Sequence, residues 1–239
     1  MNATWTIAKR EVTSLFFSPA GYVALIVFSF VTTLLFFTQF SPGAPASLRT
    51  ELNWVVWLLV FIAPAMSMRS LSEELRSGTI ELLMTAPIND IQVVAGKWLG
   101  AMLFFLTLLI PVLVHVLILE WCANPDYGPI FTGLLGLILV GGLYLSIGVF
   151  ASSMTANQII AFMTTVLITG FLTIGLYMLA RAQWVPAWLQ DTMFYVNVDQ
   201  QFEDFAKGLI DTSNFVFFIS GILLFLFCAV KLLESRRWR

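Results

Sequence analysis

The segment Arg69–Lys97 reads RSLSEELRSGTIELLMTAPINDIQVVAGK, and polar and charged residues recur along it. The sequence on each side is hydrophobic over a length that can cross a lipid bilayer. A charged, helix-forming segment between two spans lies at the membrane surface, where a water-soluble partner can bind it. We call Arg69–Lys97 the elbow.

The composition is that of a protein covered by lipid. Hydrophobic residues make up 59% of the chain, charged residues 11%, and the mean hydropathy is +0.89. A water-facing core cannot cover so many apolar side chains. A chain of 239 residues has room for roughly six spans of about 20 residues each and no sizeable soluble domain. We therefore predict an all-α membrane protein with one domain, residues 1–239, and its net charge of −2 gives no indication of nucleic-acid binding.

Six runs almost free of charge predict the spans. They are Gly21–Thr38, Leu52–Met68, Trp98–Leu119, Phe131–Phe150, Gln158–Ala180 and Phe215–Val230. The second run is the shortest and contains Pro64, which predicts a kink or a span extended at one end.

The distribution of lysine and arginine predicts the orientation. If the N-terminus is cytoplasmic, nine of the twelve basic residues lie inside: Lys9, Arg10, Arg69, Arg76, Lys97, Lys231, Arg236, Arg237 and Arg239. The other three, Arg49, Arg181 and Lys207, then lie outside. The positive-inside rule therefore favours cytoplasmic N- and C-termini in the inner membrane.

An amphipathic segment, residues 2–18, precedes the first span. Its apolar residues recur at helical spacing, and the polar residues Lys9, Arg10, Glu11 and Thr13 lie on the other side. This pattern predicts an interfacial helix in the inner headgroup layer, either as a functional element or as a leader that only anchors the orientation.

The elbow contains signals for three short helical stretches. Ser70 followed by Glu73 matches a capping box and predicts a helix that Gly78 interrupts. A second turn is predicted over Thr79–Met84, before Pro87. Asn89 or Asp90 can cap the helix that continues into the third span, which places Lys97 and Trp98 at the membrane interface. A plain solvated loop is the alternative interpretation.

The string EELRSGTIELLMTAP, Glu73–Pro87, resembles the segment after the second span in ABC-2 type transporter permeases. Further matches lie near both ends of the chain, at Ala8–Glu11, Phe16–Tyr22 and Gln201–Thr212. These are similar to the gliding-motility (Gld-type) permease subunit, and the resemblance spans essentially the whole chain.

The resemblance implies a mechanism and partners. Two six-helix permease subunits, identical or different, would sit on two cytoplasmic ATPase subunits, with residues 2–18 as a connecting helix and residues 69–97 as the coupling elbow. The coupling residues would be Glu73, Glu74, Arg76, Gly78, Thr79 and Glu81.

Nucleotide chemistry is expected on the partner and not on this chain. Gly96-Lys97 is followed by Trp98 and lacks the upstream glycine of a P-loop, so ATP and Mg would be bound by the ATPase subunit, and this subunit has no cofactor of its own. His115 is the one ionisable residue within the predicted spans, which disfavours an ion-driven carrier. No HExxH motif or intramembrane aspartate pair indicates an enzyme.

The segment 181–213 is predicted to form an outer interfacial cap rich in aromatic residues. It would serve either as an aromatic belt or as a contact for an auxiliary membrane subunit with an extracytoplasmic domain. The candidate contact residues are Trp184, Trp188, Phe202 and Phe205. The leading functional interpretation is an ATP-driven permease subunit. The alternative is a membrane subunit that transmits energy to an outer partner, for gliding or an envelope function, without moving a solute.

Overall fold

A computed structural model describes residues 3–39, 47–79, 89–123, 125–182 and 184–237. All regular structure in these ranges is helical. The helices are α1 Ala3–Phe16, α2 Pro19–Gln39, α3 Arg49–Ser67, α4 Ser72–Ser77, α5 Asp90–Leu108, α6 Ile110–Cys122, α7 Tyr127–Met154, α8 Gln158–Gly170, α9 Leu176–Ala180, α10 Ala187–Val196, α11 Val198–Ala206 and α12 Thr212–Arg237. A π-helical turn, Phe171–Gly175, joins α8 to α9.

Six stretches within the described ranges are long and apolar enough to cross a membrane, which confirms the all-α membrane fold. The stretches that contain spans 1 to 6 are, in order, Pro19–Thr38, Arg49–Ser77, Asp90–Cys122, Tyr127–Met154, Gln158–Ala180 and Thr212–Arg236. The second stretch also includes α4, and we use span 2 for α3 alone. The predicted spans fall inside these stretches, which extend further at most ends.

Pro64 lies inside span 2, where its missing N–H leaves the carbonyl of Val60 without the usual helical donor. The hydroxyl of Thr169 on α8 approaches this carbonyl at 3.5 Å. The same hydroxyl donates to the Thr165 carbonyl of its own helix at 2.8 Å, so its contact with the Val60 oxygen is the weaker of the two.

The two ends of the bundle carry different elements. α1, α4, the start of α5 and the ends of α7 and α12 lie at one end, which we call the elbow end. At the other end, α11 packs between the starts of α3 and α7: Trp57 Nε1 donates to Asp199 at 3.0 Å, and Thr132 donates to the Phe205 carbonyl at 2.6 Å.

Two of the four residues predicted to contact an outer partner lie buried in α11. Phe202 and Phe205 are completely buried, and they pack against Gly136 of α7. They are core residues and offer no surface to a partner, contrary to the sequence-based expectation. Trp184 and Trp188 are 76% and 71% exposed, so a partner contact stays a prediction for these two residues.

The capping box predicted at Ser70 is wrong. α4 begins at Ser72, and the hydroxyl of Ser152 on α7 accepts hydrogen bonds from the backbone N–H groups of Leu71 and Ser72, at 2.8 and 2.9 Å. A residue from another span therefore takes the place of a local cap. The cap predicted at the start of α5 is confirmed, because Asn89 and Gln92 form a capping box. The turn predicted over Thr79–Met84 lies largely outside the described residues.

Close helix packing in span 4 generates the first prediction. A Cβ added at Gly148 would overlap the side chain of Ser67 on α3, whereas one added at Gly170 would lie 3.7 Å from Val60, an ordinary contact. We expect Gly148→Ala to lower the free energy of unfolding by about 1–3 kcal/mol. Gly170→Ala, the matched control, should leave it unchanged or slightly higher. Unfolding in detergent measures both, and equal stabilities would contradict this packing.

Candidate functional site at the elbow

The elbow is held at its end of the bundle by contacts to α7 and to the turn between α1 and α2, and α7 is in turn held by α12. Beyond the Ser152 cap, Arg69 donates to the Ser18 hydroxyl at 2.6 Å, which ties the end of span 2 to the turn between α1 and α2. Arg236, near the end of α12, donates to the carbonyls of Ser153 and Met154 at 3.2 and 3.1 Å. Span 2 therefore enters α4 through a fixed turn.

α4 is a short helix with one face in water. Glu73, Arg76, Ser77 and Thr79 are exposed, and Glu73 pairs with Arg69 one turn earlier at 3.3 Å. Gly78 ends the helix in the left-handed region, with φ of 70°, a conformation that strains any residue with a Cβ. The exposed part of the elbow is thus a small polar surface at the end of a span.

Glu74, the residue after Glu73, points into the bundle. Its side chain is 14% exposed, and its Oε1 accepts a hydrogen bond from Arg10 of α1 at 2.7 Å and forms an ion pair with Lys97 of α5 at 3.0 Å. The other oxygen, Oε2, is buried without a hydrogen-bond partner in the described part of the chain. Glu74 therefore acts within the subunit, whereas the sequence alone groups it with the exposed residues.

Lys97 is at the centre of this cluster. Its side chain is 2% exposed and lies inside the bundle, and the predicted position at the depth of the membrane interface stays a prediction. Its ammonium also contacts the Ser70 carbonyl and lies 3.5 Å from Glu11 Oε2 on α1. We call Arg10, Glu11, Glu74 and Lys97 the clasp. Its two cations and two anions neutralise one another, which offsets the cost of burying each charge.

The position of α1 follows from two glycines on α5. A Cβ added at Gly96 would lie 2.9 Å from the Thr4 carbonyl, and one at Gly100 would lie 2.9 Å from the Ala8 carbonyl. Only glycine lets the two backbones approach this closely. The apolar face of α1 consequently packs on span 3, and this contact places Glu11 beside Lys97.

Burial raises the pKa of the Glu11 carboxyl above its ordinary value of 4.5, and the Lys97 ammonium opposes that rise. A folded-state pKa above the unfolded one means that folding is favoured most below pH 4.5. This contribution is lost as the pH rises through the folded pKa.

A second buried polar site lies nearer the other end, between spans 1, 2 and 3. His115 Nδ1 is 2.6 Å from Glu51 Oε1, His115 Nε2 is 3.3 Å from the Thr33 hydroxyl, and the imidazole stacks on Phe36. Glu51 was expected outside span 2 but lies in the first turn of α3 and is 1% exposed. His115 therefore has a partner on a neighbouring helix and is not the one ionisable group within the spans.

Of the predicted coupling residues, Glu73, Arg76, Gly78 and Thr79 are exposed on the elbow, and Glu81 lies outside the described residues. Their role in coupling stays a prediction. Sequence reasoning did not anticipate the clasp. One signal was present in the sequence: Lys97 lies between Gly96 and Gly100, and glycines four residues apart indicate a face where another helix approaches.

No group of three or more potential metal ligands occurs among the described residues.

A family model described as ABC-2 family transporter protein matches residues 27–233. The chain belongs to the ABC-2 transporter family. No curated protein matches it. The matched region contains all of the elbow and begins after α1. The chain is accordingly a multi-pass membrane permease subunit of an ABC transporter, a family whose permeases work with a cytoplasmic ABC ATPase, and the match does not single out the gliding-motility type.

The clasp generates the second prediction. Lys97→Met removes the buried ammonium and leaves the Glu11 carboxylate unpaired, which should lower the free energy of unfolding by about 3–5 kcal/mol. The matched control is Lys9→Met. Lys9 is exposed on α1, the helix that carries Glu11, and forms no ion pair with any described residue. This change should therefore stay within about 0.5 kcal/mol of wild type. Denaturant titration of the purified protein measures both, and equal effects would show that the clasp contributes nothing to stability.

Proposed function

We propose that this chain is the transmembrane subunit through which a separate cytoplasmic ATPase drives transport across the inner membrane, and that the ATPase binds at the elbow. The observation that carries the proposal is α4 itself. It is a polar helix with an exposed face, it continues directly from span 2, and it is joined to span 3 through Lys97. A force applied to the exposed face is thereby applied to two spans.

The charge distribution supports a cytoplasmic elbow end. The basic residues at that end outnumber those at the α11 end, where Arg49, Arg181 and Lys207 lie. Positive charge is retained on the cytoplasmic side of bacterial inner-membrane proteins, which supports a cytoplasmic location for both termini.

The proposed docking surface consists of Glu73, Arg76, Gly78 and Thr79, with Glu81 added from the sequence. Glu74 supports this surface from behind through the clasp. ATP and Mg are bound by the ATPase subunit, and a second permease subunit, identical or different, completes the membrane part of the complex.

One observation favours a second candidate function, energy transmission to an extracytoplasmic partner without solute movement. Trp184 and Trp188 are largely exposed at the α11 end, where an auxiliary subunit of the gliding-motility type would bind. Measurement of ATP-dependent flux in reconstituted complexes separates the two functions, since only a transporter opens a continuous pathway.

The docking surface generates the third prediction. Glu73→Ala combined with Arg76→Ala should weaken binding of the ATPase at least roughly tenfold, because each truncation removes a charged contact at a small interface. The matched control, Asp191→Ala, removes an exposed charge at the α11 end and should leave binding unchanged. Titration of the ATPase onto permease in nanodiscs measures the affinity. Equal affinities for all three proteins would exclude this face of α4 as the docking site.

The orientation generates the fourth prediction. Cys122 is exposed at the end of α6, at the α11 end of the bundle. In a Cys228→Ser background, a membrane-impermeant maleimide should label Cys122 on intact spheroplasts. A thiol introduced by Ser77→Cys in a chain with both native cysteines replaced should react only after the membrane is permeabilised. Labelling of the elbow thiol from outside would reverse the topology.

A further inference from the structure

We propose that Lys97 is a positioning residue that transmits displacement of the elbow to span 3, so that α4, α1 and α5 move as one body when the ATPase acts. This rests on the proposed function, because the displacement begins with the ATPase on the elbow. Lys97 would act through Glu74 and would not touch the ATPase.

The first step of the argument is the connectivity. α4 is covalently continuous with span 2, but the residues that lead from α4 to α5 lie beyond Thr79, and no direct backbone hydrogen bond joins α4 to α5 within the described ranges. The contact from Lys97 to Glu74 at 3.0 Å and the contact from Lys97 to the Ser70 carbonyl join span 3 to both sides of the start of α4. Lys97 thus provides the polar fastening of α4 to a second span, beside the apolar cluster in which Leu71 and Leu75 pack together with Val93 and Val94 of α5.

The second step is the strength of this connection. Lys97 is 2% exposed, so separating its ammonium from Glu74 would leave two charges in a low-dielectric environment. The alternative path runs through Arg10, whose side chain is 58% exposed and whose ion pair with Glu74 is screened by water. Movement of Glu74 is therefore transmitted mainly through Lys97, and α1 follows because Glu11 and the glycine contacts hold it to α5.

The third step separates transmission from simple stability. Lys97→Met alone would destabilise the fold by leaving Glu11 unpaired. The double variant Lys97→Met/Glu11→Gln removes that orphan carboxylate and leaves Arg10 paired with Glu74. We expect the double variant to recover the unfolding temperature that the single variant loses. If Lys97 served stability alone, the double variant would also behave normally in the assembled complex.

The test uses the permease assembled with its ATPase in nanodiscs. Spin labels are placed at Leu106→Cys on α5 and Leu167→Cys on α8, two exposed positions, with both native cysteines replaced by serine. The distance between the labels is measured without nucleotide and with a non-hydrolysable ATP analogue. The double variant should bind the ATPase with wild-type affinity, because the exposed face of α4 is intact, and should lose at least half of the nucleotide-dependent distance change.

A full distance change in a stable double variant would overturn the inference. If the double variant does not recover stability, Glu74→Gln is measured instead. This variant keeps the size of the side chain, leaves Lys97 paired with Glu11, and should also reduce the distance change. A full distance change in Glu74→Gln would overturn the inference equally. Lys9→Met is the control that should keep the whole change. The unmodified permease is measured before any variant. If it does not bind the ATPase, or does not respond to nucleotide, the proposed function itself is refuted.

Discussion

A lysine ammonium out of contact with water is the constraint on which the elbow end of this bundle depends. An isolated buried cation costs several kcal/mol, so Lys97 can lie within span 3 only if anions are brought to it. Glu11 comes from α1 and Glu74 from α4, elements that are far apart in the sequence. The requirement for neutrality therefore fixes the positions of both short helices against one span, and it links a water-exposed surface to the membrane interior.

Hydropathy predicted six spans because it measures the same property that lipid selects. The ends of the spans were less predictable. A charged residue ends a hydrophobic run in the sequence, but the membrane-spanning helix can continue through that residue in the structure. Glu51 shows the reason. Its carboxylate is accepted inside α3 because His115, 64 positions later, supplies a partner. Such a pairing depends on how three spans pack, and a local sequence window contains no information about it.

The elbow was recognised from its composition and resemblance, whereas its internal geometry was not. Ser70 and Glu73 satisfy the local pattern of a capping box, yet Ser152 of α7 provides the acceptor for the start of α4. A helix of six residues has too few turns for periodicity to show which face is buried. α11 is different, because the spacing of Phe202 and Phe205 already puts them on one apolar face, and only the structure shows that this face packs on α7.

The two neighbouring glutamates of α4 show how a single helical turn can serve two purposes. Consecutive residues on an α-helix point about 100° apart, so one of them can face water while the next faces the bundle. Glu73 faces water, where it pairs with Arg69, and Glu74 holds Arg10 and Lys97. A longer helix would move the exposed surface away from the bundle, and a loop would not keep the two side chains at a fixed angle. A short helix held at its start by Ser152 and ended by Gly78 satisfies both requirements, so the two carboxylates are not interchangeable despite their adjacency.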